Sequence, residues 1–358
     1  MVTGIDVGGV STLLLSYYGR MDRTRVKFDI VAIDIGREQF FAPAFRELGA
    51  DVYYMPKPYR ARLLYLWKLM GRVRYDVVHS HIELPSAVYL SLAMLRGVRH
   101  RVAHAHMAFH RYAGLHHRLL RRLLVAVSTV RMGCSRDALC WLFGSRAAAS
   151  GLVLHNAIDI ARFSYRADVR EACRRELGLE GKYAVGFVGR FTEQKNVFFM
   201  QEIFRAFRSR HPEAVLLTVG DGELKGEFFS KAAACGLGGS IVNLGPRRDV
   251  PALMMAMDAL LLPSRWEGLG IVLIEAQAAS LKCLAPRETV PHDDTNITPY
   301  IHYCSIADPA EAWAEALERH CMGYRRTNTD ELLREHHYDI DREAALLTDF
   351  YSGMNCNR

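Results

Sequence analysis

No run of about 18 uninterrupted apolar residues occurs in this chain, which excludes a membrane-spanning helix of ordinary length. The opening MVTGIDVGGVSTLL lacks the charged start, apolar centre and small-residue cleavage site of a secretory signal. Eight cysteines stand at 134, 140, 173, 235, 283, 304, 321 and 356, without paired spacing. That pattern argues against a disulfide framework or a zinc site and for reduced thiols in the cytosol. No metal-ligand set stands out, and the expected metal is none. No zinc finger, helix-turn-helix signature or aromatic-flanked RNA motif is present, so no nucleic-acid partner is expected. No Gly-x-Gly-x-x-Gly follows a strand at either domain start, which argues against a nicotinamide dehydrogenase. Low-complexity segments and short-period repeats of solenoid type are absent too.

What remains is an ordinary soluble composition with an uneven charge. The 358 residues are half hydrophobic and 24% charged, more than one core usually supports, so two domains are expected. Residues 1–160 carry 22 Lys plus Arg against 11 Asp plus Glu, a net of +11; the rest carry 24 against 28, a net of −4. A basic first half facing something anionic fits a nucleic acid, a membrane surface or a phosphorylated substrate.

Short apolar runs alternate with helical patterns, as in strand–helix units around a parallel sheet. FDIVAI (28–33), DVYYM (51–55), DVVHSH (76–81), RVAHAH (101–106) and VRMGCS (130–135) read as strands of the first half. VSTLLLSYYGRM and PSAVYLSLAMLRG read as helices, the latter stopped by Gly97. A short strand and loop follow at 153–163, and the charge-rich 164–182 reads as an inter-domain connection. The pattern restarts with YAVGFVGRF (183–191), AVLLTVGDG (214–222), SIVNLGP (240–246), ALLLPS (259–264) and KCLAP (282–286). Two doubly wound halves facing each other, with a ligand site at the strand C-termini, is the architecture these elements predict. The glycine loop VGGVS (7–11) lacks a full strand ahead of it, so the first strand reads as very short or entered part-way.

VGRFTEQKN (188–196) places a glycine at a strand end, then Arg190, then Lys195 before a helix. That order suits a diphosphate, through close backbone approach, peptide N–H groups and two cations, although a surface turn with solvated cations would read the same. GDGE (220–223) is an ordinary turn by composition and a weak signal alone. In SRWEGLGIVLIEAQAAS (264–280) Glu267 opens a glycine turn and Glu275 follows within the apolar helix. Eight residues leave the two acids about 80° apart on a continuous helix, so they share a ligand only if Glu267 belongs to the loop. Carboxylates accept paired hydrogen bonds from vicinal diols, which makes a sugar ring and a ribose natural partners.

Arg190 and Lys195 in GRFTEQKN, with Glu267 and Glu275 in EGLGIVLIE, resemble the donor site of the family 4 glycosyltransferases of GT-B fold. VGGVSTLLLSYYGRMDRTRVKFD (7–29), RVAHAH (101–106), HNAIDIARF (155–163) and VPALMMAMDALLLPS (250–264) resemble its capsular and exopolysaccharide branch. The resemblance implies an α/β GT-B fold: two doubly wound Rossmann-like domains facing each other across a cleft. Residues 1–160 would form the acceptor-side domain, 161–335 the nucleotide-sugar-binding domain, and 336–358 a helix packing back toward the N-terminal domain. Arg190 and Lys195, with Gly268, Leu269 and Gly270, would hold a donor diphosphate and Glu275 the ribose. Glu267 would hold the transferred sugar, and Gly8 and Gly9 would let the first loop approach donor and acceptor. His106 is chosen over His104 and the third histidine of HAHMAFH on the family pattern alone. The implied chemistry is a retaining hexosyl transfer without a bound metal or other cofactor, from a nucleotide sugar, with UDP the expected nucleotide. One departure stands out: the family's Gly-x-Pro turn reads Ser280-Leu281-Lys282 here.

LHHRLLRRLLVAVSTVR (115–131) and KPYRARLLYLWKLMGRVR (57–74) are basic and amphipathic, the second with six cations and no acid. Such helices suit an anionic bilayer surface, each cation adding about 1 kcal/mol there. A cytoplasmic enzyme peripheral on the inner face of the cell membrane follows, acting on a polyprenyl-diphosphate-linked saccharide in surface polysaccharide synthesis. A GT-B sugar-nucleotide epimerase and a non-catalytic nucleotide-sugar-binding subunit are the alternatives.

Overall fold

Parallel strands form wherever the short apolar runs are closed by glycine or polar residues. The computed structural model describes residues 1–6, 8–107 and 114–355; Val7, His110 and Cys356 lie outside them. The chain divides into two units, Met1–Ile158 with Asp339–Arg358, and Asp159–Tyr338.

The first unit holds β1 (Asp29–Ile33), β2 (Asp51–Met55), β3 (Val77–Ser80), β4 (His100–Ala105), β5 (Val130–Gly133) and β6 (Leu152–Val153). β1 pairs with β2, and β3 to β6 follow in order, all parallel. Residues 1–3 lie between the two groups: Val2 donates to Val31 O, Met1 to His79 O, and His81 to Met1 O. The helix Gly9–Arg20 packs against Ile340–Asn355, which belongs to this unit through Tyr17, Met21, Ala344, Leu347 and Tyr351.

The second unit is one six-stranded parallel sheet of β7 (Ala184–Val188), β8 (Val215–Val219), β9 (Ile241–Gly245), β10 (Ala259–Leu261), β11 (Lys282–Pro286) and β12 (Ile301–Cys304). Their spatial order is β12-β11-β10-β7-β8-β9, the doubly wound order whose reversal point lies between the first and fourth strands, here β7 and β10. Phe187, Phe191, Phe204, Phe207, Phe228 and Trp313 fill the core on one face. β12 is a strand that the sequence reading did not include.

The 164–182 stretch is not a connection. Ala167–Glu176 is a helix packed on Val250–Ala256. Its charge is spent inward: Arg170 and Arg174 pair with Asp258 at 2.5 and 3.0 Å and donate to the carbonyls of residues 255–257. Hydrogen-bonding the last carbonyls of a neighbouring helix makes a charge-rich segment structural. Among the described residues no helix is long and apolar enough to cross a membrane.

Candidate functional site

A doubly wound sheet takes its ligand beyond the carboxyl ends of the strands that flank its reversal point, here β7 and β10. The two loops leaving those strands are GRFTEQKN and SRWEGLG. They are tied together: Arg265 donates its backbone N–H to Gln194 O (2.8 Å), and Gln194 donates to Trp266 O (3.0 Å). Lys195 Nζ donates to Glu267 Oε1 at 2.5 Å, with the side chains only 15% and 7% exposed. Glu267 is positioned from behind by its N–H bond to Thr289 O, while Thr289 Oγ1 donates to Ser264 O.

Arg190 stands in the same loop, exposed and with no ion pair among the described residues. A rigid loop that carries one paired and one unpaired cation ahead of the Val197–Arg210 helix suits an anion. The GDGE turn packs under it: a Cβ at Gly220 would lie 2.0 Å from Gly189 O, and one at Gly222 2.5 Å from Phe191 O. The weak sequence signal thus marks a backbone-on-backbone contact. Leu269 is buried, so only its backbone is available, and Gly270 takes φ +79° to open the Ile271–Ala278 helix.

Glu275 is half-buried on that helix, and its carboxylate has no hydrogen-bond partner among the described residues. Burial pushes its pKa up to about 7, with nearby Arg162 opposing the shift. A carboxylate so placed is short of donors and is stabilised by any that arrive. Two buried hydroxyls in these loops, Thr192 Oγ1 and Ser264 Oγ, have no partner among the described residues. Sequence reasoning missed both, although each lies inside a quoted block; a hydroxyl in a candidate phosphate loop was the available signal. Ser280 sits at φ +51° and its hydroxyl donates to Thr327 O. It therefore fills a left-handed position that glycine favours, with the side chain anchored.

In the first unit, Gly8 is extended at φ 175° ahead of the Gly9–Arg20 helix. A Cβ at Gly9 would meet nothing within 4 Å, and one at Gly8 only Asp6 O at 3.9 Å. Packing in this unit does not require glycine at either position. His106 donates its backbone N–H to Glu83 Oε1 (2.8 Å), and its Nε2 lies 2.8 Å from His81 Nδ1. Burial lowers the His106 pKa to about 4 and lifts that of Glu83 to about 7. Glu83 and His81 were not singled out from the sequence; strand-end position and a positive φ of 50° at Glu83 mark the turn.

The expected absence of metal ligands needs a correction. His79, His81 and His104 bring ligand atoms within 4.8 Å of one another, which no sequence motif announces. Their rings stack, His79 on His81 at 4.1 Å and His104 on His106 at 4.1 Å, with planes 15–35° apart across the group. Nearly parallel rings send their in-plane lone pairs along parallel lines rather than to one point. The column as folded is four neutral imidazoles, burial holding their pKa values down. An Asp-x-Asp also exists at Asp339–Asp341, but it caps a helix start and Asp341 pairs with Arg20 at 2.7 Å.

The leucines of the Leu115–Val127 helix divide by face. Leu124 is buried and Leu120 half-buried, while Leu115, Leu119 and Leu123 are 73%, 54% and 40% exposed. That leaves an outward i, i+4, i+8 stripe beside exposed Arg118 and Arg122. On the Tyr59–Arg72 helix Tyr59, Leu64 and Trp67 face out, and Arg96 lies 3.7 Å over the Trp67 ring.

Two family profiles match the chain in sequence, Glycosyltransferase Family 4 over residues 7–162 and Glycosyl transferases group 1 over 169–320. The putative glycosyltransferase EpsF of Bacillus subtilis is 26% identical, covering 98% of this chain and 95% of its own. An Escherichia coli UDP-Gal:α-D-GlcNAc-diphosphoundecaprenol α-1,3-galactosyltransferase is 28% identical over 62% of this chain and 60% of its own. Among solved structures, a Rickettsia africae glycosyltransferase superposes with a TM-score of 0.78 at 14% identity, covering 100% and 98% of the two chains. Anabaena HepE, solved in complex with UDP, gives 0.74 at 16% identity over 99% and 95%. The chain belongs to the group 1, family 4 glycosyltransferases of GT-B fold.

Proposed function

We propose that the chain transfers a hexose from a UDP-sugar to a polyprenyl-diphosphate-linked saccharide, with retention at the anomeric carbon, at the inner face of the cell membrane. The observation that carries this reading is the Lys195–Glu267 pair at the sheet's reversal point, with Arg190 free beside it. Arg190 takes the diphosphate by a forked contact and Lys195 by its compact charge. The backbone of Gly268, Leu269 and Gly270 receives the same group, Glu275 accepts the ribose hydroxyls, and Glu267 accepts from the sugar. Gly8 and Gly9 admit the reacting groups to the first loop. His106, a neutral imidazole, offers its ring to the sugar near the anomeric centre. The departing diphosphate is stabilised by fixed cations and peptide dipoles rather than by a protein nucleophile or a metal. Anabaena HepE binds UDP in its solved structure, and the Escherichia coli relative is named for a UDP-galactose donor.

The acceptor assignment rests on that relative's diphosphoundecaprenol acceptor and on the leucine stripe flanked by Arg118 and Arg122. An epimerase would leave that stripe without use. Incubating the protein with radiolabelled UDP-glucose, UDP-galactose and UDP-N-acetylglucosamine plus a polyprenyl-diphosphate saccharide tests the proposal. Label should pass to the organic-extractable lipid with one donor, with the anomeric configuration unchanged by NMR. Transfer with inversion, or none with any donor, contradicts it.

A further inference from the structure

The four histidines of the first unit form two hydrogen-bonded pairs. His79 and His81 stand two residues apart at the end of β3, and His104 and His106 at the end of its parallel neighbour β4. With His79 opposite Val102, the pleat puts all four side chains on one face of the sheet. Across the strands the rings meet edge to edge. His81 Nδ1 lies 2.8 Å from His106 Nε2 with the ring centres 5.1 Å apart, and His79 Nε2 lies 3.2 Å from His104 Nδ1 with the centres 5.2 Å apart. Along each strand the two pairs stack face to face at 4.1 Å. Tyr351 anchors the deeper pair, its hydroxyl lying 2.5 Å from His79 Nδ1.

A neutral imidazole has one N–H and one lone pair, so in a bonded pair of them one ring donates and the other accepts. Burial keeps His81 and His106 neutral. His106 can therefore neither flip its ring nor exchange its tautomer without breaking the bond to His81. Its backbone is held separately, the N–H donating to Glu83 Oε1 at 2.8 Å. Glu83 takes a φ of +50° at this turn, a left-handed position that a residue with a side chain adopts at a cost. Glu83 Oε2 is buried without a partner among the described residues, so Oε1 alone makes the clamp on β4. With Nε2 engaged by His81, Nδ1 is the atom of the half-buried His106 ring that is left for a ligand.

We propose that His81 and Glu83 are positioning residues for His106: Glu83 fixes its backbone and His81 its ring, so that Nδ1 meets the substrate in a single tautomer, which rests on the reading of His106 proposed above. A ring free to flip or to exchange tautomers offers the fitting atom only part of the time. That loss falls on the transfer step rather than on donor binding, because the nucleotide is held by other residues.

Protein labelled with 15N in histidine, with His81→Leu and His81→Asn beside it, tests this. The wild type should show a 15N–15N coupling across the His81–His106 hydrogen bond. In His81→Leu the His106 ring nitrogens should shift toward the averaged values of a free neutral imidazole. The kcat of transfer should fall at least about tenfold in His81→Leu, with KM for the nucleotide sugar within about twofold. His81→Asn, which keeps a hydrogen-bonding atom near the place of Nδ1, should recover most of that kcat. Glu83→Ala should lose kcat in the same way, and Glu83→Gln, which keeps the accepting oxygen, should recover most of it. No coupling in the wild type, or the same His106 nitrogen shifts in wild type and His81→Leu, overturns the proposal. Unchanged kcat in His81→Leu overturns it as well. Full transfer by His106→Ala would instead overturn the reading of His106, a result on which the coupling and the shifts do not depend.

Discussion

Lys195 Nζ and Glu267 Oε1 lie 2.5 Å apart, joining the loops that leave β7 and β10. Seventy-two residues separate them in sequence, and both are largely withdrawn from solvent. Replacing Lys195 by Met leaves a buried carboxylate alone and should destabilise the protein by about 3–5 kcal/mol. The double variant K195M/E267Q should recover most of that loss while donor turnover stays abolished. Chemical denaturation of the four proteins measures both terms of the cycle; no coupling between the two positions would contradict the pairing.

Glu275 carries an acid whose pKa is raised by burial to about 7. For an acid, a raised folded-state pKa means that the folded protein binds the proton more tightly than the unfolded chain. Stability from this group is therefore full below the ordinary carboxylate range and is lost as pH rises toward 7. Glu275→Gln should gain on the wild type over that interval and hold the gain above it. Nucleotide affinity should run the other way, rising with pH through 7 in the wild type because hydroxyl donors favour the charged form. In the variant it should be flat and weaker by about 1–3 kcal/mol. Calorimetric titration at pH 5.5, 7 and 8.5 separates the two effects.

Gly8→Ala and Gly9→Ala place a methyl group where packing in the first unit offers no clash. Both variants should melt within about 0.5 kcal/mol of the wild type, apart from alanine's better helix propensity at position 9. If the first loop admits the reacting groups as proposed, transfer should fall at least tenfold, because the methyl group takes up that space. Full activity in both would remove this loop from the reaction.

Leu119→Ser with Leu123→Ser should leave Tm nearly unchanged, since both side chains already face solvent. Binding to vesicles of anionic phospholipid should weaken by at least tenfold, because two exposed leucines lose their burial in the bilayer. Wild-type binding should fall as salt rises. Equal sedimentation of wild type and double variant with vesicles would separate the stripe from membrane contact.

Most strands were legible because each is a short apolar run closed by glycine or charge, and parallel burial erases the ambiguous alternation. The 164–182 segment was misread because composition records charge without its partner: Arg170 and Arg174 meet Asp258 more than eighty residues away. Donor-loop residues could be named because strand end, glycine and cation are adjacent in sequence. Thr192 and Ser264 carried only the weak signal of a hydroxyl within a quoted loop, and Glu83 none, since only folding shows which polar atoms are buried and unpaired. The histidine column is likewise a product of β3 lying beside β4. Ser280 shows the converse: a departure from the family's turn that the fold absorbs by a hydroxyl bond to Thr327 O.

The proposed transfer requires a nucleotide-sugar site built on the β7 and β10 loops. Thermal stabilisation by UDP and a panel of UDP-sugars, wild type beside Arg190→Ala, tests it most directly. Arg190 is exposed and unpaired among the described residues, so its loss should leave the unliganded Tm unchanged. The Tm of the wild type should rise with ligand concentration, and the rise should be sharply reduced in the variant. No rise with any nucleotide, or an equal rise in both proteins, would contradict it.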